Sequence, residues 1–450
     1  MPEHGFGYGR RKPVPYMATV LALSLGWLLL YSARTALSSA MKDIGDYWGL
    51  SESYLGFLAS SFFISYTILQ VPSGILADRF GSRRMIVLGF AVQAAGLILG
   101  SRARTPLEFL LARLLSGAGQ ATYFACQQAI VSFVLPPEKR STGTAVTVAG
   151  AGVGSACGFL LGKLLSAGTM GWRTPFFALG TVSAIYILVV LAFVPEPKRA
   201  SEQREAVESS QSSGPSQASR PNQARGSSPA SGPSTAQWTT PENHEASWGP
   251  LLYLSLAHFL SMYGFYVMLT WMPYYLESVR GLTGNLAAVV PVAMPLIMAP
   301  ATVIWGMAAD KRGSRDFVVK ISLPVAAVAT CAIPLLSGPA MIGAALSAYG
   351  ATGKLVIDPA LVSMVSENYP ARMRAATLAA FNFAGALAMV AAPYATGFIA
   401  DSIGSFDPSF YAAGLFNLAA LAAYVQAERA VRRRRAASPA RSRPAPMSAR

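Results

Sequence analysis

Four ionisable residues stand inside stretches that are otherwise apolar: Arg34 in LLLYSARTAL, Arg113 in FLLARLLSG, and Lys354 with Asp358 in GATGKLVIDPAL. In the middle of a bilayer such a group costs roughly 2.5–3.5 kcal/mol on insertion scales, so each one asks for a function or a partner. Arg34 is a candidate anion anchor, because a guanidinium presents a planar fork that matches a carboxylate bidentately. Its plainer alternative is an arginine snorkelling to the outer interface. Lys354 and Asp358 are four residues apart and share one helix face. A proton on Asp358 would free Lys354 for an anion, or an anion could displace the carboxylate; either event couples substrate to protons. The alternative is an ion pair that merely tolerates burial. Arg113 is assigned to proton relay, with interhelical hydrogen bonding as its other reading. His258, lone among aromatic residues, reads as packing.

These residues need elements that hold them within lipid. Of 450 residues 53% are hydrophobic and 13% charged, about half the charged share of a soluble domain. Apolar runs long enough to cross a bilayer occur near 17–38, 54–76, 83–101, 106–134, 142–166, 173–194, 250–275, 286–309, 317–336, 340–366, 375–400 and 409–427. Lipid offers no partner for backbone N–H and C=O groups, so these runs are expected to be helices: twelve spans, all-α. The first run follows GRRK but is too long for a signal core and contains Arg34. Cys126, Cys157 and Cys331 all lie in apolar runs, which leaves no disulfide framework and no metal-ligand spacing. No cofactor is expected.

The net charge of +15 does not point to nucleic acid, because the basic residues alternate between loops. With both termini inside, about 27 of the 36 Lys and Arg face the cytoplasm, as the positive-inside rule requires. Residues 196–247 are rich in Ser, Pro and Gln and read as a disordered cytoplasmic linker. It separates a half at 1–195 from a half at 248–428. The basic segment 429–450 reads as a disordered tail, with contact to anionic lipid headgroups as a secondary role.

One small knot of glycines and charges occurs twice, as GILADRFGSRR at 74–84 and GMAADKRGSRD at 306–316. Gly74, Ala77, Asp78, Gly81, Ser82 and Arg83 match Gly306, Ala309, Asp310, Gly313, Ser314 and Arg315 at one offset, with Lys311 in place of Arg79. The same offset carries Arg140 onto Arg372 and Arg34 onto Tyr266. Two halves in the same orientation, with substrate at their interface near the midplane, is a known transporter plan.

The G-x-x-x-D-R-x-G-x-R-R loop and its echo resemble the signature loop of the major facilitator superfamily, over essentially the whole chain. RLLSGAGQA at 113–121, PPEKR at 136–140 and GWRTPFF at 171–177 support this. YSARTALSSAM at 31–41 and YVMLTWMPYYLESVRG at 266–281 are similar to the anion:cation symporters and their organophosphate-exchanging relatives. The sequence departs from that branch where acidic residues often stand, at Ala33 and Gln120, and Phe265 occupies the position of a seventh-span arginine. The resemblance implies alternating access by a monomeric, multi-pass protein of a bacterial inner membrane that takes up a small organic anion, a carboxylate, with protons. Arg34, Tyr31, Tyr123, Gln127, Tyr263, Tyr266 and Lys354 are the expected substrate contacts, and Asp358 and Arg113 the proton-coupling residues. Asp78, Arg79, Arg83, Asp310, Lys311 and Arg315, partnered by Glu138, Arg140, Glu367 and Arg372, form the expected cytoplasmic gate. Their alternative is a topology signal alone.

Gly150, Gly154, Gly158 and Gly162 recur every fourth residue and allow close helix contact. No proline lies among them, unlike the fifth helix of many drug exporters, so drug/proton antiport is the alternative rather than the main reading. A membrane sensor that binds without transporting is a further alternative, disfavoured by two intact gating loops. No nucleotide loop, metal cluster or nucleophile constellation supports an enzyme.

Overall fold

The computed structural model describes residues 16–196, 248–282, 286–369 and 371–437. Almost the whole expected linker and residues 438–450 of the expected tail lie outside these, and so do the side chains of Glu138, Arg140 and Arg372. Among the described residues the chain is helical and contains no strand. The first half comprises α1 (Tyr16–Trp48), α2 (Glu52–Phe80), α3 (Ser82–Ser101), α4 (Pro106–Gln120), α5 (Tyr123–Val134), α6 (Pro137–Ser166) and α7 (Arg173–Phe193). The second comprises α8 (Trp248–Tyr274), continued by a π turn at Tyr275–Val279, α9 (Leu286–Arg312), α10 (Asp316–Ala332), α11 (Pro339–Thr352), α12 (Lys354–Asn368), α13 (Ala371–Ile403) and α14 (Asp407–Ala437).

Among the described residues eleven segments are long and apolar enough to cross a membrane. The fourth expected span, 106–134, is divided into α4 and α5, and the tenth is divided into α11 and α12. The two breaks fall at positions related by the repeat offset, since Ala121 maps onto Gly353. Gly353 leaves the helix with ψ −160°, and its Cα is packed against the ring and carbonyl of Tyr349. Pro359, directly after Asp358, lacks a backbone donor and is the residue of this span that the sequence marks for a kink; the break falls at Gly353 instead. α12 runs on through Pro359, which sits only in its second turn.

The glycines of both knots serve one conformational purpose. Gly81 and Gly313 have φ of 96° and 62°, a region that side-chain-bearing residues rarely enter. At Gly81 a Cβ would strike the Glu196 carboxylate, which instead accepts hydrogen bonds from the backbone N–H of Arg83 and Arg84 at the start of α3. The glycine stripe packs α6 flat on α1: Gly150 meets Ser24, Gly154 meets Leu28, Gly158 meets Ser32 and Thr35, and Gly162 meets Ala36 and Ser39. The last helix reaches Ala437, past the boundary expected at 428, because Glu428 joins Lys320 at 2.8 Å and Arg432 one turn ahead, which carries α14 onward.

The halves meet chiefly through α2 on α13, α6 on α9 and α1 on α8. Between described residues, the hydrogen bonds and ion pairs that cross this boundary lie in the middle of the bundle or at the end opposite the knots. At that end Lys163 of α6 is 2.7 Å from Glu277 and 3.8 Å from Asp43 of α1. The Asp401 carboxylate accepts from the N–H of Glu52 and Ser53 at 2.9 and 2.7 Å, and Tyr274 donates to Glu52 at 3.1 Å. A half-buried ion pair between halves contributes on the order of 1 kcal/mol. Lys163→Met is accordingly expected to raise the rate at which a maleimide labels a cysteine placed at Ser60, under this interface, by about fivefold. An unchanged rate would show that the pair does not hold this end shut.

Candidate functional site

Arg34 projects from the middle of α1 into a box of aromatic rings. It is 6% exposed, which overturns the snorkelling alternative. Its guanidinium carbon lies 4.6 Å from the ring centre of Tyr31, 5.1 Å from Tyr66, 5.6 Å from Phe63 and 5.7 Å from Phe62. These distances suit cation–π attraction. Nε donates to Gln120 Oε1 at 2.5 Å, and Gln120 Nε2 donates to the Leu30 carbonyl at 3.0 Å. Gln120 thus orients the guanidinium without neutralising it. Nη1 reaches Tyr266 at 3.4 Å, the long limit of a hydrogen bond. Nη2 is buried with no hydrogen bond of good geometry, although the neutral Tyr66 hydroxyl stands close enough to interact with the guanidinium. Arg34 and Tyr266 are the two positions that the internal repeat superimposes; residues so related touch only near the axis relating the halves, so Arg34 lies at the centre of the molecule.

Lys354 begins α12 directly after the break at Gly353. Its Nζ is 2.6 Å from Asp358 Oδ2, as the four-residue spacing predicts. Tyr66, whose ring packs on Arg34, also lies within the electrostatic reach of Lys354 from the other half. The other oxygen of Asp358 faces His258 Nδ1 at 3.5 Å. His258 also stacks on Phe381, with ring centres 4.1 Å apart; it packs as expected, but against the acid as well.

Arg113 is 3% exposed, and its guanidinium carbon is 4.7 Å from the Phe62 ring centre, which Arg34 also approaches. Its Nε and Nη1 have no hydrogen-bond partner, contrary to the reading of Arg113 as interhelical glue through those atoms. Among the described residues neither Arg34 nor Arg113 forms an ion pair. Tyr123 is spent elsewhere: its hydroxyl donates to the Leu23 carbonyl, and its ring packs on Trp27 and Phe90. Gln127 is buried with both amide atoms unpartnered, while Tyr263 packs on Phe416.

The knot residues are apart from this centre. Asp78, Arg79, Asp310, Lys311, Arg315 and Glu367 are exposed and take part in none of the ion pairs between described residues. Arg83 bonds the Leu191 carbonyl within its own half. The contacts that hold the halves together here are those at the other end, and none of Lys163, Glu277, Asp43, Glu52 or Asp401 was singled out from the sequence. Tyr66, Phe62 and Phe63 were also missed; their only signal is the aromatic run SFFISY in α2.

A relative in Oryza sativa subsp. japonica, "Probable anion transporter 4, chloroplastic", is 28% identical over 88% of this chain and 65% of its own length. The "Hexuronate transporter" of Bacillus subtilis (strain 168) is 25% identical over 88% of this chain and 91% of that protein. The "Probable L-galactonate transporter" of Escherichia coli (strain K12) is 26% identical over 90% and 88%. The chain spans about half to two thirds of the length of two chloroplast relatives and most of the bacterial ones. Among solved structures, a bacterial homologue of the lysosomal transporter Spinster superposes with a TM-score of 0.70 at 17% identity, covering 94% of this chain and 98% of that one. The xylose transporter of E. coli superposes equally well, with a TM-score of 0.70 at 17% identity over 91% and 96%. The sequence model of the Major Facilitator Superfamily matches residues 23–393 and again 254–449. Covering nearly the whole length, that match and the repeated, centrally charged bundle agree: the chain belongs to the Major Facilitator Superfamily.

Proposed function

We propose that the chain is a secondary transporter that carries a small carboxylate anion by alternating access, with proton-coupled uptake across a bacterial inner membrane and both termini cytoplasmic. The observation that supports this most is Arg34: a buried, central guanidinium whose Nη2 has no hydrogen bond of good geometry, oriented by a neutral amide and lacking a carboxylate of its own. Burying a charge uncompensated is costly; an anionic substrate supplies the missing partner. The two bacterial relatives whose names specify sugar acids favour the same substrate class, and nothing in the geometry favours drug antiport over it. In this reading the knots form the cytoplasmic gate, open in this conformation, and the Lys163–Glu277 end faces outward. Lys354 is the second anion contact, released when Asp358 yields it.

Counterflow of radiolabelled hexuronates and galactonate in proteoliposomes tests the assignment; absence of counterflow for every carboxylate in such a panel, at any pH, would sink it. Asp358→Asn is expected to abolish accumulation driven by a pH gradient while sparing exchange, because the neutral amide no longer holds Lys354 and substrate binding is no longer tied to a proton. Equal loss of both activities would remove Asp358 from the coupling role.

A further inference from the structure

His258 has no part in the scheme above, yet it is the third member of a charge cluster. Asp358 is held from two sides: Lys354 contacts Oδ2 at 2.6 Å, and His258 Nδ1 stands off Oδ1 at 3.5 Å. That second distance is too long for a formed bond, and both atoms are buried without a hydrogen-bond partner. The imidazole cannot retreat. It lies flat on Phe381, and its Nε2 rests against Gly385, where even a methyl group would collide.

We propose that His258 is the proton acceptor of the cycle: a proton taken up on its imidazole draws the Asp358 carboxylate toward it and weakens its hold on Lys354, and the loosened ammonium receives the substrate's carboxylate. This rests on the anion-transport reading and deepens it. A charge-assisted N–H···O contact settles near 2.7–2.9 Å, so closing the present gap takes less than 1 Å. The charge balance closes as well. With His258 neutral, the Lys354–Asp358 pair sums to zero; one proton raises the cluster to +1, and one carboxylate returns it to zero. The loaded and empty forms therefore cross between states with the same charge in this cluster, one proton per carboxylate.

The surroundings leave His258 few other charged neighbours. From α12 it faces Asp358 and, across that carboxylate, Lys354. α13 presents Phe381 and Gly385, and α14 contributes Ala420 and Ala423 to the same apolar cluster, while its Tyr424 hydroxyl is committed to Asp316. Histidine is the side chain whose unperturbed titration falls at physiological pH.

Two measurements on the full-length protein test this. The chain has three histidines, His4, His244 and His258, so ring-15N labelling gives resolvable signals in the ligand-free protein in detergent. One of them, absent from His258→Gln, is expected to move from neutral-ring to protonated-ring shifts when the ligand-free protein is acidified; a His258 signal that stays constant on acidification overturns the proposal. In proteoliposomes, one unit of pH gradient coupled to one proton supports about tenfold accumulation of labelled glucuronate. His258→Gln is expected to lose that accumulation and its pH dependence and to exchange glucuronate more weakly at every pH, because Lys354 stays paired with Asp358, while a monodisperse size-exclusion profile shows that it folds. A wild-type pH profile in this variant overturns the role. Failure of wild type to exchange glucuronate or galactonate at any pH would instead count against the substrate class, and the resonance then decides His258 alone.

Discussion

Arg34→Lys is expected to weaken binding of a carboxylate substrate by about 10- to 150-fold, the loss that corresponds to 1.5–3 kcal/mol for a charged hydrogen bond. The charge is retained, so the effect isolates geometry. Lysine has no Nε for Gln120 Oε1 to hold and no second planar nitrogen to complete a bidentate contact. Its ammonium is also poorly suited to the ring faces of Tyr31, Phe62, Phe63 and Tyr66 that surround the guanidinium. The dissociation constant by calorimetry, or the half-saturation of counterflow, reports the change. Gln120→Glu tests the same site from the other side. It would place a carboxylate 2.5 Å from Arg34 Nε and give the cation a permanent partner in competition with substrate, again weakening binding. Unaltered affinity in both variants would remove Arg34 as the anchor.

Gly158→Leu is expected to leave almost no folded protein. A Cβ there would meet the Ser32 carbonyl and Thr35 Oγ1 of α1 closer than real Cβ atoms approach their neighbours, and Gly154 meets the Leu28 backbone in the same way. Overpacking a close-packed site costs typically 1–3 kcal/mol and more where backbone must move, a large share of the 5–15 kcal/mol that holds a domain folded. Arg34 projects from another face of the same helix toward Gln120 and Tyr266, so any protein that survives with α1 displaced should also bind substrate poorly. Monodispersity on size exclusion and the Tm of the purified protein measure the effect. A wild-type profile would mean that α1 and α6 are not in contact along this stripe.

Much of the architecture was legible because membrane insertion writes it locally. Span positions follow from apolar runs, and the structure begins and ends most helices within a few residues of them. The paired knots predicted two copies of one unit, and their offset matched Arg34 with Tyr266 before any contact was known. Lys354 and Asp358 were legible as a pair because four residues make one helical turn. Gln120 appeared only as a missing acid, and its bond to Arg34 crosses from α4 to α1. His258 is separated from Asp358 by about a hundred positions, with no periodicity to link them. The break at Gly353 was hidden by a nearer and stronger signal, Pro359, whose missing N–H the helix tolerates in its second turn.

By itself the sequence determined that this is a helical membrane protein of two repeated halves with charges buried at its centre, since hydropathy, helical spacing and repetition are properties of neighbouring residues or of a fixed offset. Only the tertiary structure decided that Arg34 meets Gln120 and Tyr266 and lacks a counter-ion among the described residues, that His258 confronts Asp358, and at which end of the bundle Lys163 meets Glu277. Those facts arise where separate helices meet, and the distances between helices are set by packing that no local pattern encodes.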